Sequence, residues 1–376
     1  MKPKNQFIKT QLNQLKKAHL YRTLFSSKIS GPHITIQGKK LINLSSNDYL
    51  GLASNSKSIS QIQSSSRLIA GNDQSFRELE NRLAHHKSKK SAIIFPTGYM
   101  ANLGIISILA KKNDLILSDE LNHASIIDAC RLSHAKKQVY RHNDISDLEK
   151  KLNKKDGRKF VITEGIFSMN GDFAKLDDIA RICEENNAFL LVDDAHGDFV
   201  VGHDGKGSAD HFKITNKVDV YISSLSKALG AFGGYIAANQ EIIDLIINTS
   251  RPFIYTSALP NFLANLALKR FLMNREKNRI RLWKKIESFS KGLKSIGYNI
   301  ESNSQIIPII IGNEKKTLEY GKYLRDNQIF SQPIRYPTVN LGSARIRISV
   351  TDWLSEGMIS KSLDIFEKAG KKFGLV

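Results

Sequence analysis

A lysine between small hydroxyl residues is the first place in this sequence where chemistry could occur. Lys227 lies in the run SSLSKALG, residues 223–230, directly after the apolar, β-branched segment 218–222. In sheet proteins, the carboxyl ends of strands are where ligands bind. A lysine amine that is desolvated there loses its proton more easily and becomes a nucleophile toward carbonyl groups. Because the flanking hydroxyls suit a phosphate, one interpretation is a Schiff base with pyridoxal phosphate (PLP). A solvated loop lysine is the alternative.

An acid and a histidine follow the most apolar segment of the chain. Asp193 and His196 come directly after residues 189–192. An aspartate at that place can pair with a protonated ring nitrogen, and with PLP this pairing would make the ring an electron sink. The alternative is a helix cap at Asp193 or Asp194. A metal site is a third possibility, but the spacing of the candidate ligands matches no standard pattern: His196, His203, Asp204 and His211.

Three more polar positions follow strand-like segments. Gly98 and Tyr99 come after residues 91–95 and open a helix, whose unpaired N–H groups and dipole favour an anion. His123 also opens a helix, and its flat ring could stack on an aromatic group; Ser168 follows a further strand. Each has an ordinary alternative. Gly98 and Tyr99 could form a simple strand-to-helix turn, His123 could be a hydrogen-bonded structural histidine, and Ser168 could be a turn hydroxyl. Their joint order along one region favours a cofactor site.

Strand-like and helix-like segments alternate from about residue 90, and this alternation would position those side chains. The strand-like segments are 91–95, 115–118, 138–141, 160–163, 189–192 and 218–222. Such alternation predicts an α/β fold with a mostly parallel sheet flanked by helices. After about residue 260 a long helical stretch to 293 is followed by mixed strands and helices, which predicts a smaller α+β domain.

Helical spacing over residues 1–30 predicts an N-terminal helix, and two short strand-like runs follow at 33–37 and 40–44. We therefore expect three parts: an N-terminal helix with short strands over 1–44, a large domain over 45–265 and a small C-terminal domain over 266–376.

The net charge of +20 is spread over many short lysine clusters. It suits a solubilising surface or the attraction of an anionic cosubstrate, and the lack of a basic stripe with aromatic residues disfavours nucleic acid. The two cysteines form no metal spacing or disulfide framework, no apolar stretch is long enough to span a membrane, and the start has no signal-peptide pattern. We therefore expect a cytoplasmic protein.

Seven motifs together resemble the α-oxoamine synthase family of PLP fold type I, over essentially the whole chain. They are NDYLGL (47–52), NHAS (122–125), TEGIFSM (163–169), DDAHG (193–197), SKALG (226–230), YTSALP (255–260) and RIRIS (345–349). The resemblance implies a large PLP-binding domain, a small C-terminal domain and a homodimer with its sites at the subunit interface.

The resemblance also implies a role for each matching residue. Lys227 holds PLP and moves protons at the substrate Cα, Asp193 pairs with the pyridine nitrogen, His196 bonds the ring oxygen and His123 stacks on the ring. The implied phosphate or cofactor contacts are Gly98, Tyr99, Ser168, Ser224 and, from a neighbouring subunit, Thr256 or Ser257. The implied substrate contacts are Arg22, Asn47, His123 and Thr338, with Arg347 for a carboxylate.

The segments 255–260 and 337–339 resemble most the branch of the family that condenses L-alanine with a pimeloyl thioester, on CoA or acyl carrier protein, in biotin biosynthesis. Sister enzymes that use glycine or serine remain the alternative: 2-amino-3-ketobutyrate CoA ligase, 5-aminolevulinate synthase and serine acyltransferases. A PLP-free basic scaffold or nucleic-acid binder would leave Lys227, Asp193 and His123 without a joint role.

Three segments depart from the family pattern. The segment QSSS at 63–66 replaces a glycine-rich run, Asp198-Phe199 replaces threonine-glycine, and Asn340 replaces a proline. We expect the first two departures to reshape the entrance for the acyl group.

Overall fold

The computed structural model describes residues 6–17, 21, 26–30, 33–36, 38–42, 64–153, 157–327, 329, 331, 333–352 and 354–376. The chain divides into two compact units. The first comprises 1–165 and 174–273, and the second comprises 166–173 and 274–376. The division at residues 44 and 265 stays a prediction.

The N-terminal segment is helical over a shorter stretch than its spacing predicts. Helix α1 spans Gln6–Lys17 and buries Ile8 and Leu12. A small antiparallel sheet follows, made of β1 (Ser27–Ser30), β2 (His33–Ile36) and β3 (Lys39–Ile42). The predicted helix over 1–30 is therefore wrong at β1, because pairing with β2 overrides the local helical spacing.

The first unit is built on a seven-stranded sheet with the order β4-β10-β9-β8-β7-β5-β6. The strands are β4 (Ser91–Phe95), β5 (Leu115–Asp119), β6 (Lys136–Tyr140), β7 (Lys159–Glu164), β8 (Phe189–Asp193), β9 (Val220–Ser224) and β10 (Gly234–Ala238). Only β10 runs antiparallel to its two neighbours, and all other adjacent pairs are parallel. The predicted mostly parallel α/β sheet is confirmed.

Helices cover both faces of this sheet. The α-helices are α2 (Gln74–His86), α3 (Gly98–Leu109), α4 (Ala124–Leu132), α5 (Ile145–Leu152), α6 (Leu176–Glu185), α7 (Ser208–His211), α8 (Gln240–Thr249), α9 (Arg251–Ile254) and α10 (Asn261–Phe271). A π-helical turn (Arg67–Gly71) and a 3-10 turn (His203–Gly205) complete the helical elements of the described part. Successive residues of β7 point to opposite faces, yet Phe160, Val161 and Ile162 are all buried. This burial explains why the central strands read as continuous apolar runs.

The second unit contains a three-stranded antiparallel sheet with the order β11-β13-β12. Its elements are α11 (Glu276–Ile296), β11 (Ile306–Gly312), α12 (Glu314–Asp326), β12 (Pro333–Ile334), β13 (Ala344–Ser349) and α13 (Glu356–Phe373). The core packs Phe289, Tyr320 and Phe366 with aliphatic residues of the sheet. The single helix expected over 261–293 is two helices, since the Asn274 side chain accepts the Glu276 N–H and begins α11. None of the described helices combines the length and the apolar character that a membrane span requires.

Candidate active site

Lys227 and His196 meet at one edge of the large sheet. The parallel strands β8 and β9 are neighbours, with Asp193 opposite Ile222, so the turns after them leave the sheet side by side. Lys227 lies in the turn after β9 and is exposed, and its Nζ lies 2.8 Å from Nε2 of His196 in the turn after β8. The structure therefore brings together the predicted nucleophile and a predicted ring contact that are 31 residues apart.

Asp193 is buried at the end of β8, where two donors hold its carboxylate. Its Oδ2 accepts a hydrogen bond from Asn102 Nδ2 at 2.6 Å, and its Oδ1 accepts one from the backbone N–H of Ala195 at 3.1 Å. The residues directly after Asp193 form a turn and not a helix, so the alternative of a helix cap is wrong for Asp193; Asp194 instead accepts the N–H of Ser208, the first residue of α7, at 3.0 Å. The Asp193 carboxylate is fixed by a short turn and by a side chain of α3.

His123 begins α4 as its capping residue. Its Nδ1 accepts the N–H of Ser125 at 3.2 Å and lies 2.7 Å from Ser125 Oγ. Desolvation lowers the pKa of His123; the Asp193 carboxylate opposes this shift, and the Lys227 amine adds to it. The lowered pKa favours a neutral imidazole at neutral pH. The capping bond supports a structural role for His123. The side chain is also exposed, so one face of its ring is available for stacking.

Tyr99 packs beside this histidine. The two rings lie edge to face, with centroids 6.2 Å apart and an angle of 77° between the planes. The Tyr99 hydroxyl donates to the Asp128 carboxylate, and this hydrogen bond is the main cause that raises the pKa of Tyr99. Tyr99 is thereby anchored at the start of α3.

A tight backbone cradle forms where α3 begins. The Thr97 side chain caps the helix by accepting the Met100 N–H at 3.1 Å. A Cβ atom placed on Gly98 would lie 3.4 Å from the Cβ of Ser224, so the helix start and the end of β9 are neighbours. Because the first N–H groups of a helix have no partner within it, this cradle suits an anion such as a phosphate.

Gly234 makes that close approach possible, and the sequence alone did not single it out. Gly234 pairs with both Ser224 and Phe95 in the sheet, and a Cβ atom on it would lie 2.4 Å from the backbone nitrogen of Gly98. A side chain of any size would therefore push α3 away from the sheet. The glycine pair before the apolar run 235–238 is the signal that could have identified both β10 and this contact.

We expect Gly234→Ala to weaken PLP binding about tenfold or more, because overpacking would displace the cradle. The melting temperature should fall by several degrees. Gly357→Ala is the matched control, since no heavy atom lies within 4 Å of a Cβ atom there. Equilibrium dialysis of PLP and thermal melts measure both effects. An unchanged PLP affinity in Gly234→Ala would show that the cradle does not hold the phosphate.

Some predicted site residues lie elsewhere or outside the described residues. In the second unit, Arg347 Nε donates to the carbonyl oxygen of Ser168 at 2.6 Å, so these two are brought together. Thr338 is exposed in a turn of the same unit. In the first unit, Thr256 is half-buried shortly after α9. Arg22 and Asn47 lie outside the described residues. The roles of all these residues stay predictions.

A buried ion cluster of Lys87, Asp194 and Asp198 lies behind the turn that carries His196. The Lys87 ammonium lies 2.8 Å from Asp198 and 3.1 Å from Asp194, and all three side chains are at most 1% exposed. His86 lies 3.0 Å from Asp198. Ser223 and Tyr235 donate to the other oxygen of Asp198. Sequence reasoning missed this cluster, because Lys87 lies 107 residues before Asp194 in the chain.

This cluster corrects the expectation for Asp198 and Phe199. Both side chains are buried, so the prediction that they reshape an entrance for the acyl group is wrong. Asp198 lies in the ion cluster, and Phe199 stacks on His86 with centroids 4.8 Å apart. Asp198 and Phe199 therefore change the buried packing behind the turn that carries His196, and not a surface of the site.

The comparisons with known proteins agree with this geometry. A family model described as aminotransferase class I and II matches residues 39–361. The solved serine palmitoyltransferase of S. paucimobilis, with bound PLP-myriocin aldimine, is 27% identical, with a TM-score of 0.82 and 99% of both chains covered. The fold and these matches define a PLP-dependent enzyme of fold type I.

Curated relatives narrow the assignment. The 8-amino-7-oxononanoate synthase of Thermoanaerobacter pseudethanolicus is 41% identical, covering 98% of both chains, and 8-amino-7-oxononanoate synthase 1 of Bacillus subtilis is 35% identical over 99% of both. The solved 8-amino-7-oxononanoate synthase of Francisella tularensis is 33% identical, with a TM-score of 0.71 over 80% of this chain and 88% of that one. The chain belongs to the 8-amino-7-oxononanoate synthase family.

Proposed function

We propose that this chain condenses L-alanine with a pimeloyl thioester to give 8-amino-7-oxononanoate, CO2 and a free thiol, as a step of biotin biosynthesis. The observation that carries the proposal is the meeting of Lys227 and His196, 2.8 Å apart, at a sheet edge that also bears Asp193 and the cradle at Gly98. The similarity of the whole chain to synthases of that name supports the particular reaction.

The described residues fit PLP. The cradle of Gly98, Tyr99 and Ser224 would hold the phosphate, and the buried Asp193 carboxylate would face the ring nitrogen. His196 would bond the ring oxygen and His123 would stack on the ring. When bound, PLP supplies an electron sink for the charge that develops at the substrate Cα.

Lys227 would both hold the cofactor and move the proton. Its amine reaches His196 from an exposed turn, so it is accessible to the aldehyde of PLP and to an incoming amino acid. With alanine bound, Lys227 would take the proton from Cα. The overall reaction would join Cα to the pimeloyl carbonyl carbon with loss of the thiol, the alanine carboxylate would leave as CO2, and Lys227 would return a proton to Cα.

The remaining residues would hold the substrates and complete the site in a cytoplasmic homodimer. Arg347 would bind a carboxylate through its guanidinium group, and Ser168 would contact the cofactor. Arg22, Asn47 and Thr338 would contact substrate. Thr256 would reach the phosphate in the neighbouring subunit, and the high exposure of the adjacent Tyr255, 71%, supports a covered surface there.

The acyl donor is either pimeloyl-CoA or pimeloyl-acyl carrier protein. The net charge of +20 supports an anionic donor in both cases, since CoA carries phosphates and carrier proteins are acidic. Attraction between exposed charges is screened by salt, so the rate at subsaturating donor should fall as salt rises. A rate independent of salt with both donors would contradict this role of the charge.

The visible spectrum of the purified protein tests the proposed function. We expect a yellow PLP band that shifts at the lowest concentration with L-alanine, when L-alanine, glycine and L-serine are titrated in turn. A band that responds best to serine would favour a serine acyltransferase, which the structural similarity to serine palmitoyltransferases makes the leading alternative. A best response to glycine would favour the other sister enzymes. No band after addition of PLP would refute the cofactor site.

A further inference from the structure

Asn102 lies between the cradle and the candidate ring contacts, although no sequence motif singled it out. It belongs to α3, four residues after Gly98, and is 1% exposed. Its Nδ2 donates to Asp193 Oδ2 at 2.6 Å and to Ser125 Oγ at 2.9 Å. Because an ionised carboxylate only accepts hydrogen bonds, the amide nitrogen and not the amide oxygen must face Asp193.

Ser125 extends this contact to His123. Its hydroxyl oxygen accepts from Asn102, so its own hydrogen is available to Nδ1 of His123, 2.7 Å away. The backbone N–H of Ser125 donates to the same nitrogen at 3.2 Å. Since Nδ1 accepts both bonds, the neutral ring carries its proton on Nε2. A chain of hydrogen bonds thus joins Asp193, Asn102, Ser125 and His123.

The placement of Asn102 on α3 links both ends of the cofactor site. Four residues advance a helix by about 6 Å, so one rigid helix presents the anion cradle at its start and a donor to Asp193 one turn later. A change in the position of α3 would move both contacts together.

The amide oxygen of Asn102 argues against a purely structural role. Oδ1 is buried and has no hydrogen-bond partner within the described part of the chain. An unsatisfied buried acceptor reduces stability, so the fold by itself gains little from an amide at this position. The two donor contacts of Nδ2 are what the side chain contributes.

We propose that Asn102 is a positioning residue that holds the Asp193 carboxylate in place for the ring nitrogen of PLP and, through Ser125, sets the proton position on His123. The inference rests on the proposed function, because it requires PLP between Asp193 and His123. It adds to that function a residue, Asn102, that acts on the cofactor through Asp193 and His123.

Four variants test the proposal, and one of them, Ser125→Ala, breaks the link between Asn102 and His123. Asn102→Ala removes the donor, and Asn102→Asp keeps the shape but turns a second carboxyl group toward Asp193. Asn248→Ala is the matched control: Asn248 is also a buried helical asparagine, but its Nδ2 donates to the backbone oxygen of Asp244 at 2.8 Å. Thermal melts of the PLP-free proteins measure the loss of stability, and equilibrium dialysis measures the dissociation constant of PLP.

We expect both Asn102 variants to raise the dissociation constant of PLP about tenfold or more, since a hydrogen bond to a charged group is lost. Asn248→Ala should lower the melting temperature at least as much as Asn102→Ala but leave PLP binding within about twofold of wild type. Circular dichroism of the visible PLP band should change in the Asn102 variants and in Ser125→Ala, because the contacts that orient the PLP ring change.

Equal loss of PLP affinity in Asn102→Ala and Asn248→Ala would overturn the proposal, because general destabilisation would explain both. PLP binding within about twofold of wild type in Asn102→Ala would also overturn it and would leave the proposed function intact. Failure of the wild-type protein to bind PLP would instead refute the proposed function itself, and this inference with it.

Discussion

Replacement of Lys227 by alanine is expected to reduce kcat about ten-thousandfold or more, because one amine both holds the cofactor and moves the proton at Cα. The fold should persist, since Lys227 is exposed and its described side-chain bond is to His196. Lys227→Arg should be equally inactive. It keeps the positive charge, but a guanidinium group stays protonated and does not form the imine.

This expectation can be checked without relying on activity alone. Borohydride reduction of the wild-type protein should attach PLP covalently to the peptide that contains Lys227, and mass spectrometry would identify it. Lys291→Ala is the control, since that lysine is exposed in the second unit and pairs with Glu287. Labelling of another lysine in the wild-type protein, or turnover by Lys227→Ala above about one-hundredth of wild type, would refute the role of Lys227.

Much of the fold could be predicted from local patterns. Alternating apolar segments identified the central strands because both faces of the sheet are covered. Strand β10 was missed because one glycine precedes it, a second glycine begins it, and its antiparallel place depends partly on β4, which is distant in sequence. Helices α10 and α11 were predicted as one because their apolar spacing continues across the break between the two units.

The candidate site was predictable where each residue directly follows a strand. Asp193 is the last residue of β8, His196 follows β8 and Lys227 follows β9, and parallel neighbours bring such positions to one edge. Asn102, Gly234 and the ion cluster were not predictable in this way. Their importance comes from contacts between helices, turns and strands that no local pattern encodes.

Phe199 illustrates how the turn behind the site depends on tertiary contacts. Its φ angle is +62°, in the left-handed region that a side chain with a Cβ atom rarely adopts. The ring stacks on His86 and meets Phe271 edge to face, so packing holds it in that conformation. The backbone N–H also donates to Gly205 O at 2.7 Å. A glycine would adopt this φ without such packing, so the effect of Phe199 could not be interpreted from the sequence alone.

Asp198→Ala is expected to lower the free energy of unfolding by about 3–5 kcal/mol, the usual cost of removing one partner of a buried ion pair. The Lys87 ammonium would keep only Asp194 and the carbonyl oxygen of Lys206 as close acceptors. Ser223 and Tyr235 would lose the oxygen to which they donate. Urea denaturation of the PLP-free protein at a fixed protein concentration measures this loss.

Asp352→Asn is the matched control for charge alone. Asp352 pairs with Arg281 and Lys285 in the second unit, but its side chain is 20% exposed. Ion pairs that reach solvent typically contribute about 0–1 kcal/mol, so this variant should lose far less stability. Equal losses in the two variants would mean that burial of the cluster is not the cause.

The pH dependence of Asp198→Asn gives an independent check. The Lys87 ammonium, together with the hydrogen bond from His86, lowers the pKa of Asp198 in the folded protein despite the opposing effect of burial. A lowered folded pKa stabilises the protein above the unfolded value of about 3.9, and this contribution is lost as the pH falls toward the folded pKa. The difference in stability between wild type and Asp198→Asn should therefore narrow as the pH is lowered from about 5 toward 3.

A double-mutant cycle with Lys87→Met separates the pair from its surroundings. Lys87→Met alone leaves two buried carboxyl groups without their cation, and burial already raises the pKa of Asp194. The double variant, Lys87→Met with Asp198→Asn, removes both charges of the pair, so no buried ammonium is left without a partner. Ser208 still donates to the remaining Asp194 carboxyl group. The double variant should therefore be more stable than the sum of the single losses predicts, by about 1–3 kcal/mol. Strict additivity would mean that Lys87 and Asp198 contribute independently to stability.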